Sequence, residues 1–85
     1  MSRYIATFHS HFGALSYCKA LKKLDIAAKL MPVPRKLSAS CGTCVCYEHN
    51  SPAVLSESEI NECELDGIFS EADDALECVL RRNNG

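Results

Sequence analysis

The chain has 85 residues, of which 47% are hydrophobic and 24% are charged. This length predicts one domain over residues 1–85, with a modest core. Nine Lys and Arg against eleven Asp and Glu give a net charge of -2, which argues against a broad basic surface for nucleic acid or anionic lipid. The sequence has no apolar run of about 18 residues and no apolar stretch typical of a signal peptide at its start. We therefore expect a cytoplasmic protein with neither nucleic acid nor membrane as a partner.

The first half of the chain alternates between strand and helix patterns. Arg3 to Phe8 is a short β-rich run, and Ser10 after it is a candidate helix N-cap. From His11 to Leu24, apolar residues recur at steps of three and four, which predicts the first helix. Ile26 to Val33 predicts a second strand because nearby prolines favour extended backbone. Thr43 to His49, rich in Val, Tyr and Thr, predicts a third strand.

The second half carries weaker patterns. Ser56 and Glu59 have the spacing of a capping box, which predicts a short second helix. Ile68-Phe69 predicts a minimal fourth strand, and Ser70 with Asp73 repeats the cap signal for a last helix. The apolar face of that last helix would consist of Ala72, Ala75, Leu76, Val79 and Leu80.

This element order predicts an α+β fold, specifically a ferredoxin-like β-α-β-β-α-β sandwich with an additional C-terminal helix. In such a fold the first two strands are parallel and are joined by a right-handed crossover. Their carboxyl ends then emerge at the same edge of the sheet. We therefore expect His9 to His11 to lie near the loop predicted over Arg35 to Gly42.

The six cysteines are predicted to be free thiols or ligands, because no secretory signal accompanies them. Cys18 and Cys63 fall on apolar helix faces and are predicted core residues, whereas Cys78 is predicted to be half exposed. Cys44 and Cys46 would share one face of the third strand, packed as small residues under a helix.

Cys41 has different surroundings and is the predicted catalytic residue. It lies at the end of the loop beside Gly42, with Arg35 and Lys36 in the same loop and His11 predicted nearby. Positive charge lowers the pKa of a thiol and makes its nucleophilic thiolate available near pH 7. The sequence therefore predicts a reactive thiol at this position.

Other interpretations of the same cysteines remain open. Cys41 and Cys44 have the C-x-x-C spacing of a redox pair, which makes Cys44 a possible resolving thiol, although a strand rather than a helix follows. Cys46 and a histidine could complete four zinc ligands, but no second knuckle is present, so no metal and no cofactor are predicted. A third interpretation is a non-catalytic partner-binding module with structural cysteines. Whether the chain is an enzyme is left open.

Three segments resemble the selenium/sulfur carrier-like family of small proteins: Phe8–His11, Leu30–Arg35 and Leu37–Gly42. Pro-Val-Pro-Arg followed by Ser-x-Ser-Cys-Gly is the most specific part, and the likeness runs from about Tyr4 to Tyr47. The resemblance implies that Cys41 carries a persulfide or a selenide-derived atom. The residues that match the pattern around it are Ser10, His11, Pro32, Pro34, Arg35, Ser38, Ser40 and Gly42.

The same resemblance implies sulfur or selenium donor and acceptor proteins as partners. The chain departs from the family pattern at Cys44 and Cys46, where family members are apolar. An exposed edge at the second strand, protected by its prolines, predicts a monomer or weak dimer.

Overall fold

The computed structural model describes residues 2–34, 37, 42–51, 54–72 and 75–81. The strands form a five-stranded antiparallel sheet in the order β2-β3-β1-β4-β5, which confirms the predicted α+β class. In chain order the elements are β1 (Ser2–Phe8), α1 (His11–Lys23), β2 (Ala28–Pro32), β3 (Thr43–His49), α2 (Glu57–Glu62), β4 (Leu65–Ala72) and β5 (Ala75–Arg81).

The strand order brings several chain segments to one end of the sheet. β1 and β2 each pair antiparallel with β3, so they run parallel to each other, as predicted. β3 and β4 each pair antiparallel with β1. The carboxyl ends of β1 and β2 therefore lie beside the amino ends of β3 and β4. The start of α1 follows β1 at this same end.

The C-terminal helix predicted from the sequence is wrong. Ala75–Arg81 is instead the strand β5, which pairs with β4. The fourth strand is also longer than predicted, because it spans Leu65–Ala72 rather than Ile68-Phe69 alone. The ferredoxin-like sandwich is not confirmed in the predicted form, since the sheet has five strands and the last element joins it.

Both helices pack on one face of the sheet. In β1, Tyr4, Ala6 and Phe8 point to this face, as the two-residue period of a strand requires. Cys18 and Cys63 are buried, which confirms both as core residues. The buried cluster on this face is Tyr4, Ala6, Phe8, Ala14, Tyr17, Cys18, Leu21, Val45, Tyr47, Leu55, Ile60, Cys63, Leu65 and Ile68.

Cys44 and Cys46 lie on the opposite face, so the prediction that they pack under a helix is wrong. The alternate residues Val45 and Tyr47 join the cluster beneath the helices instead. Either set of alternate residues in β3 could face a core, but Val and Tyr offer more apolar area to bury than Cys. Cys46 pairs with Ile5, which is buried on this second face.

The predicted start of α2 is confirmed by its cap. The Ser56 hydroxyl accepts a hydrogen bond from the Glu59 N–H at 3.4 Å and lies 3.0 Å from the Glu59 carboxylate. Neither α1 nor α2, the helices of the described part of the chain, has the length and apolar character needed to cross a membrane.

Candidate functional site

The candidate site begins where β1 ends and α1 starts. Ser10 has extended backbone, with φ -137° and ψ 155°, and its Oγ accepts a hydrogen bond from the Gly13 N–H at 3.1 Å. The same hydroxyl donates to Glu64 Oε2 at 2.6 Å. Ser10 is therefore the N-cap that the sequence predicts. Its two hydrogen bonds connect the first turn of α1 to the segment between α2 and β4.

Two acidic residues that the sequence did not single out surround this helix start. Glu64 has φ 58°, in the left-handed region, and its carbonyl accepts a hydrogen bond from the His9 N–H at 3.1 Å. Asp66 Oδ1 lies 3.5 Å from His9 Nε2. In the sequence, Glu64 and Asp66 read as ordinary solvated acids. No sequence pattern indicates that the backbone of Glu64 is left-handed. His9 and Ser10 thus contact acidic groups rather than only solvent.

His11 connects α1 to the start of β3. Its Nδ1 lies 3.1 Å from Thr43 Oγ1, within hydrogen-bond distance. Thr43 follows Cys41 by two residues. The helix start therefore approaches the first residue of β3, and the expected approach to the loop residue Cys41 stays a prediction.

The loop between β2 and β3 is closed at its base by backbone hydrogen bonds. The Val33 N–H donates to the Gly42 carbonyl at 3.1 Å, directly beyond the paired residues Pro32 and Thr43. Gly42 has φ 72°, a conformation that glycine adopts without the steric cost met by other residues. The left-handed backbone at this position therefore favours glycine as the residue after Cys41.

Four predicted site residues lie outside the described residues: Cys41, Arg35, Ser38 and Ser40. Their assignments stay predictions. Among the predicted residues that are described, the structure brings Ser10, His11 and Gly42 to the same end of the sheet.

Cys44 is fully buried, with 0% of its surface exposed. Its thiol donates to the Pro32 carbonyl at 3.7 Å. Its role as a resolving thiol stays a prediction. Because Cys44 is buried, a thiol reagent in solution could reach it only if its packing opened.

A separate groove of about 390 Å³ lies on the sheet face opposite the helices. Cys46 lines it, together with Ile5 and Met31. Burial raises the pKa of the Cys46 thiol, against an opposing effect of Arg3, so this thiol is a weak nucleophile at neutral pH. Within the described residues, no group of three or more His, Cys, Asp or Glu side chains could hold a metal ion.

Comparison with family models identifies the relationship. The family described as "Putative Se/S carrier protein-like" matches residues 3–70, which is most of the chain. The chain belongs to this family. The Se/S carrier protein-like match extends beyond Tyr47, where the resemblance in the sequence became unclear, and ends within β4. It includes the whole candidate site and leaves out β5. No curated protein and no solved structure matched the chain.

Proposed function

We propose that the protein carries sulfur or selenium on Cys41, receiving the atom from a donor protein and delivering it to an acceptor protein. The observation that carries this proposal is the family match over residues 3–70. We further propose that it acts in the cytoplasm, as a monomer or weak dimer.

The proposed transfer needs no external oxidant. The Cys41 thiolate attacks the terminal sulfur of a donor persulfide, R–S–SH, and forms a new S–S bond. The S–S bond within the donor breaks, and the donor leaves as the thiolate R–S⁻. The products are Cys41–S–SH and the donor thiolate, so atoms, charge and electrons balance. Attack by an acceptor thiolate on the terminal sulfur of Cys41–S–SH repeats the step and regenerates Cys41.

Groups of both signs surround the helix start. The first turn of α1 has no acidic residue and its N–H groups carry partial positive charge, which favours a thiolate, whereas the carboxylates of Glu64 and Asp66 oppose one. His11 contacts Thr43, two residues after Cys41 in the chain. In the proposal, Arg35 adds a full positive charge and the hydroxyls of Ser38 and Ser40 donate hydrogen bonds to the bound sulfur.

The proposal is tested by loading the protein from a cysteine desulfurase that carries a persulfide. The expected result is a gain of about 32 Da, one sulfur atom, located on Cys41 by peptide mass spectrometry. Cys41→Ser should lose the gain, whereas Cys78→Ser, which removes an exposed thiol elsewhere, should keep it. Absence of the gain, or its persistence in Cys41→Ser, would refute a carrier function at this residue.

The redox alternative requires a disulfide between Cys41 and Cys44. Cys44 is buried, so an oxidant in solution does not reach its thiol directly, and the disulfide would have to form by attack of Cys44 on an oxidised Cys41. Titration against a glutathione couple separates the two: a Cys41–Cys44 disulfide that forms across the cytosolic range would favour the redox function. We expect no such disulfide in the folded protein.

A further inference from the structure

Phe12 is the most exposed large hydrophobic residue among those that the structure describes, with 81% of its surface in contact with solvent. It is the second residue of α1, and the next two residues, Gly13 and Ala14, are buried. A single exposed apolar side chain is common on protein surfaces and has no meaning alone. Its position and its charged neighbours distinguish this one.

Phe12 lies at the same end of the sheet as the loop that carries Cys41. It follows His11, whose ring contacts Thr43 at 3.1 Å. A protein interface of standard size covers about 800 Å² on each partner, a patch about 30 Å across. A donor protein that contacts the end of the β2–β3 loop at Thr43 can therefore extend over Phe12 as well. Aromatic side chains at the centre of such patches are the residues that most often dominate affinity.

The outer side of α1 continues from Phe12 as a basic stripe. Lys19 and Lys23 lie seven and eleven residues further, about two and three helical turns, and so fall on the same side as Phe12. Both are exposed, and α1 contains no acidic residue. The rest of the chain supplies the acids that bring the net charge to -2. This local excess of positive charge complements an acidic partner.

A groove beside the stripe provides further contact area. It has a volume of about 590 Å³ and runs between α1 and the segment 54–59. Lys19 and Lys23 line it together with the apolar residues Leu24 and Val54 and one acid, Glu59, so the charged residues of the groove give it a net positive charge. We define Phe12, Lys19, Lys23 and this groove as the α1 docking surface.

We propose that the α1 docking surface binds the protein that donates sulfur to Cys41, with Phe12 in an apolar pocket of the donor and the lysines opposite donor carboxylates. This inference rests on the proposed carrier function. The covalent step is unchanged: the donor persulfide loses its terminal sulfur to the Cys41 thiolate and leaves as a thiolate. Docking raises the rate of sulfur transfer because it holds the Cys41 sulfur close to the terminal sulfur of the donor persulfide.

The test compares two sulfur donors on Phe12→Ala. With a persulfide-loaded cysteine desulfurase, the half-saturating donor concentration should rise at least tenfold, which corresponds to about 1.4 kcal/mol of binding. With inorganic polysulfide, which needs no docking, the rate of sulfur gain should not change. The matched control is Val79→Ala, an exposed apolar residue on the edge strand β5, which should match the wild type with both donors.

The lysines are tested by the salt dependence of the same reaction. Lys19→Ala combined with Lys23→Ala should slow loading from the protein donor at low salt and flatten its salt dependence. The control is Lys29→Ala, which removes an exposed lysine on β2. It should change neither the loading rate at low salt nor the salt dependence. An unchanged melting temperature in each variant excludes unfolding as the cause.

The outcomes separate the two proposals. If the wild type gains no sulfur from either donor, the carrier function fails and the docking surface fails with it. If the wild type gains sulfur from both donors while Phe12→Ala and Val79→Ala behave alike, the carrier function stands and the docking proposal is overturned.

Discussion

Gly13 and Gly42 are needed for different physical reasons. A Cβ built on Gly13 would collide with the backbone carbonyl of Cys63, at the point where α1 approaches the end of α2. A Cβ on Gly42 would meet no atom within 4 Å, but the residue has φ 72°. The first glycine allows two segments to touch, and the second allows the chain to turn at the base of the β2–β3 loop.

Gly13→Ala and Gly42→Ala should therefore both destabilise the fold, the first through a collision with backbone and the second through backbone strain. Overpacking against backbone costs about 1 to 3 kcal/mol, which exceeds the gain of up to about 1 kcal/mol that alanine brings to a helix. The left-handed conformation costs alanine about 1 kcal/mol at position 42. Urea unfolding of both variants gives the two free energies. A Gly13→Ala protein as stable as the wild type would contradict the close packing described here.

Sequence patterns identified Ser10, His11 and Gly42, because caps, loop ends and glycines have local signals. They did not identify Glu64 or Thr43. Glu64 contacts Ser10 across 54 positions in the chain, and Thr43 contacts His11 across 32. Neither partner is determined by local spacing, so these contacts could be found only once the strand order was known.

At the scale of elements, α1 was predictable and β5 was not. α1 has a clear period of three and four, a cap and a lysine-rich end. In the β4–β5 pair the register shifts between Ile68 and Phe69, which interrupts the two-residue alternation in the sequence. The apolar residues of β5 consequently recur at spacings that are typical of a helix. β4 was underestimated because Asp, Gly and Ser are poor strand formers, yet pairing with the central strand β1 overrides that preference.

The cap of α1 can be tested with two serines in or beside the same helix. Ser10→Ala removes the hydrogen bond to the Gly13 N–H and the one to Glu64, and should cost about 1 kcal/mol of stability. Ser16→Ala changes an exposed residue within α1 and should be neutral or slightly stabilising, because alanine is the better helix former. Thermal unfolding followed by circular dichroism measures both. Equal melting temperatures for the two variants would exclude a capping role.

At the scale of the whole molecule, aromatic rings connect the sheet to α1. Tyr17 of α1 packs against Phe8 of β1 and Tyr47 of β3, with ring centroids 5.1 and 5.8 Å apart. The Tyr17 hydroxyl donates to the Tyr47 hydroxyl at 3.4 Å. Burial raises the pKa of both tyrosines, and it also raises the pKa of the Cys63 thiol.

These raised pKa values predict that the protein loses stability in alkaline solution. In the unfolded chain thiols ionise at about pH 8.5 and tyrosines at about pH 10. In the folded state the buried Cys63, Tyr17 and Tyr47 stay protonated to higher pH. The unfolded state then binds fewer protons, so the free energy of unfolding is highest below about pH 8 and falls as pH rises further. Urea unfolding between pH 7 and 11 measures this fall.

Tyr17→Phe is the informative variant for this pH dependence. It removes one buried ionisable group, so its free energy of unfolding should fall less steeply above pH 9, by up to about 1.4 kcal/mol per pH unit. Comparing slopes cancels the pH-independent cost of the lost hydrogen bond to Tyr47. Parallel pH curves for the wild type and this variant would contradict a raised pKa at Tyr17.

The contacts of Ser10 with Glu64 and of His11 with Thr43 join parts of the chain that are 54 and 32 positions apart. Contacts of such long sequence separation form late, after the loops between them have closed. The surroundings of the β2–β3 loop are therefore a property of the completed fold. A nascent or partly unfolded chain would contain the Cys41 thiol without the contacts that the folded protein forms at the base of this loop.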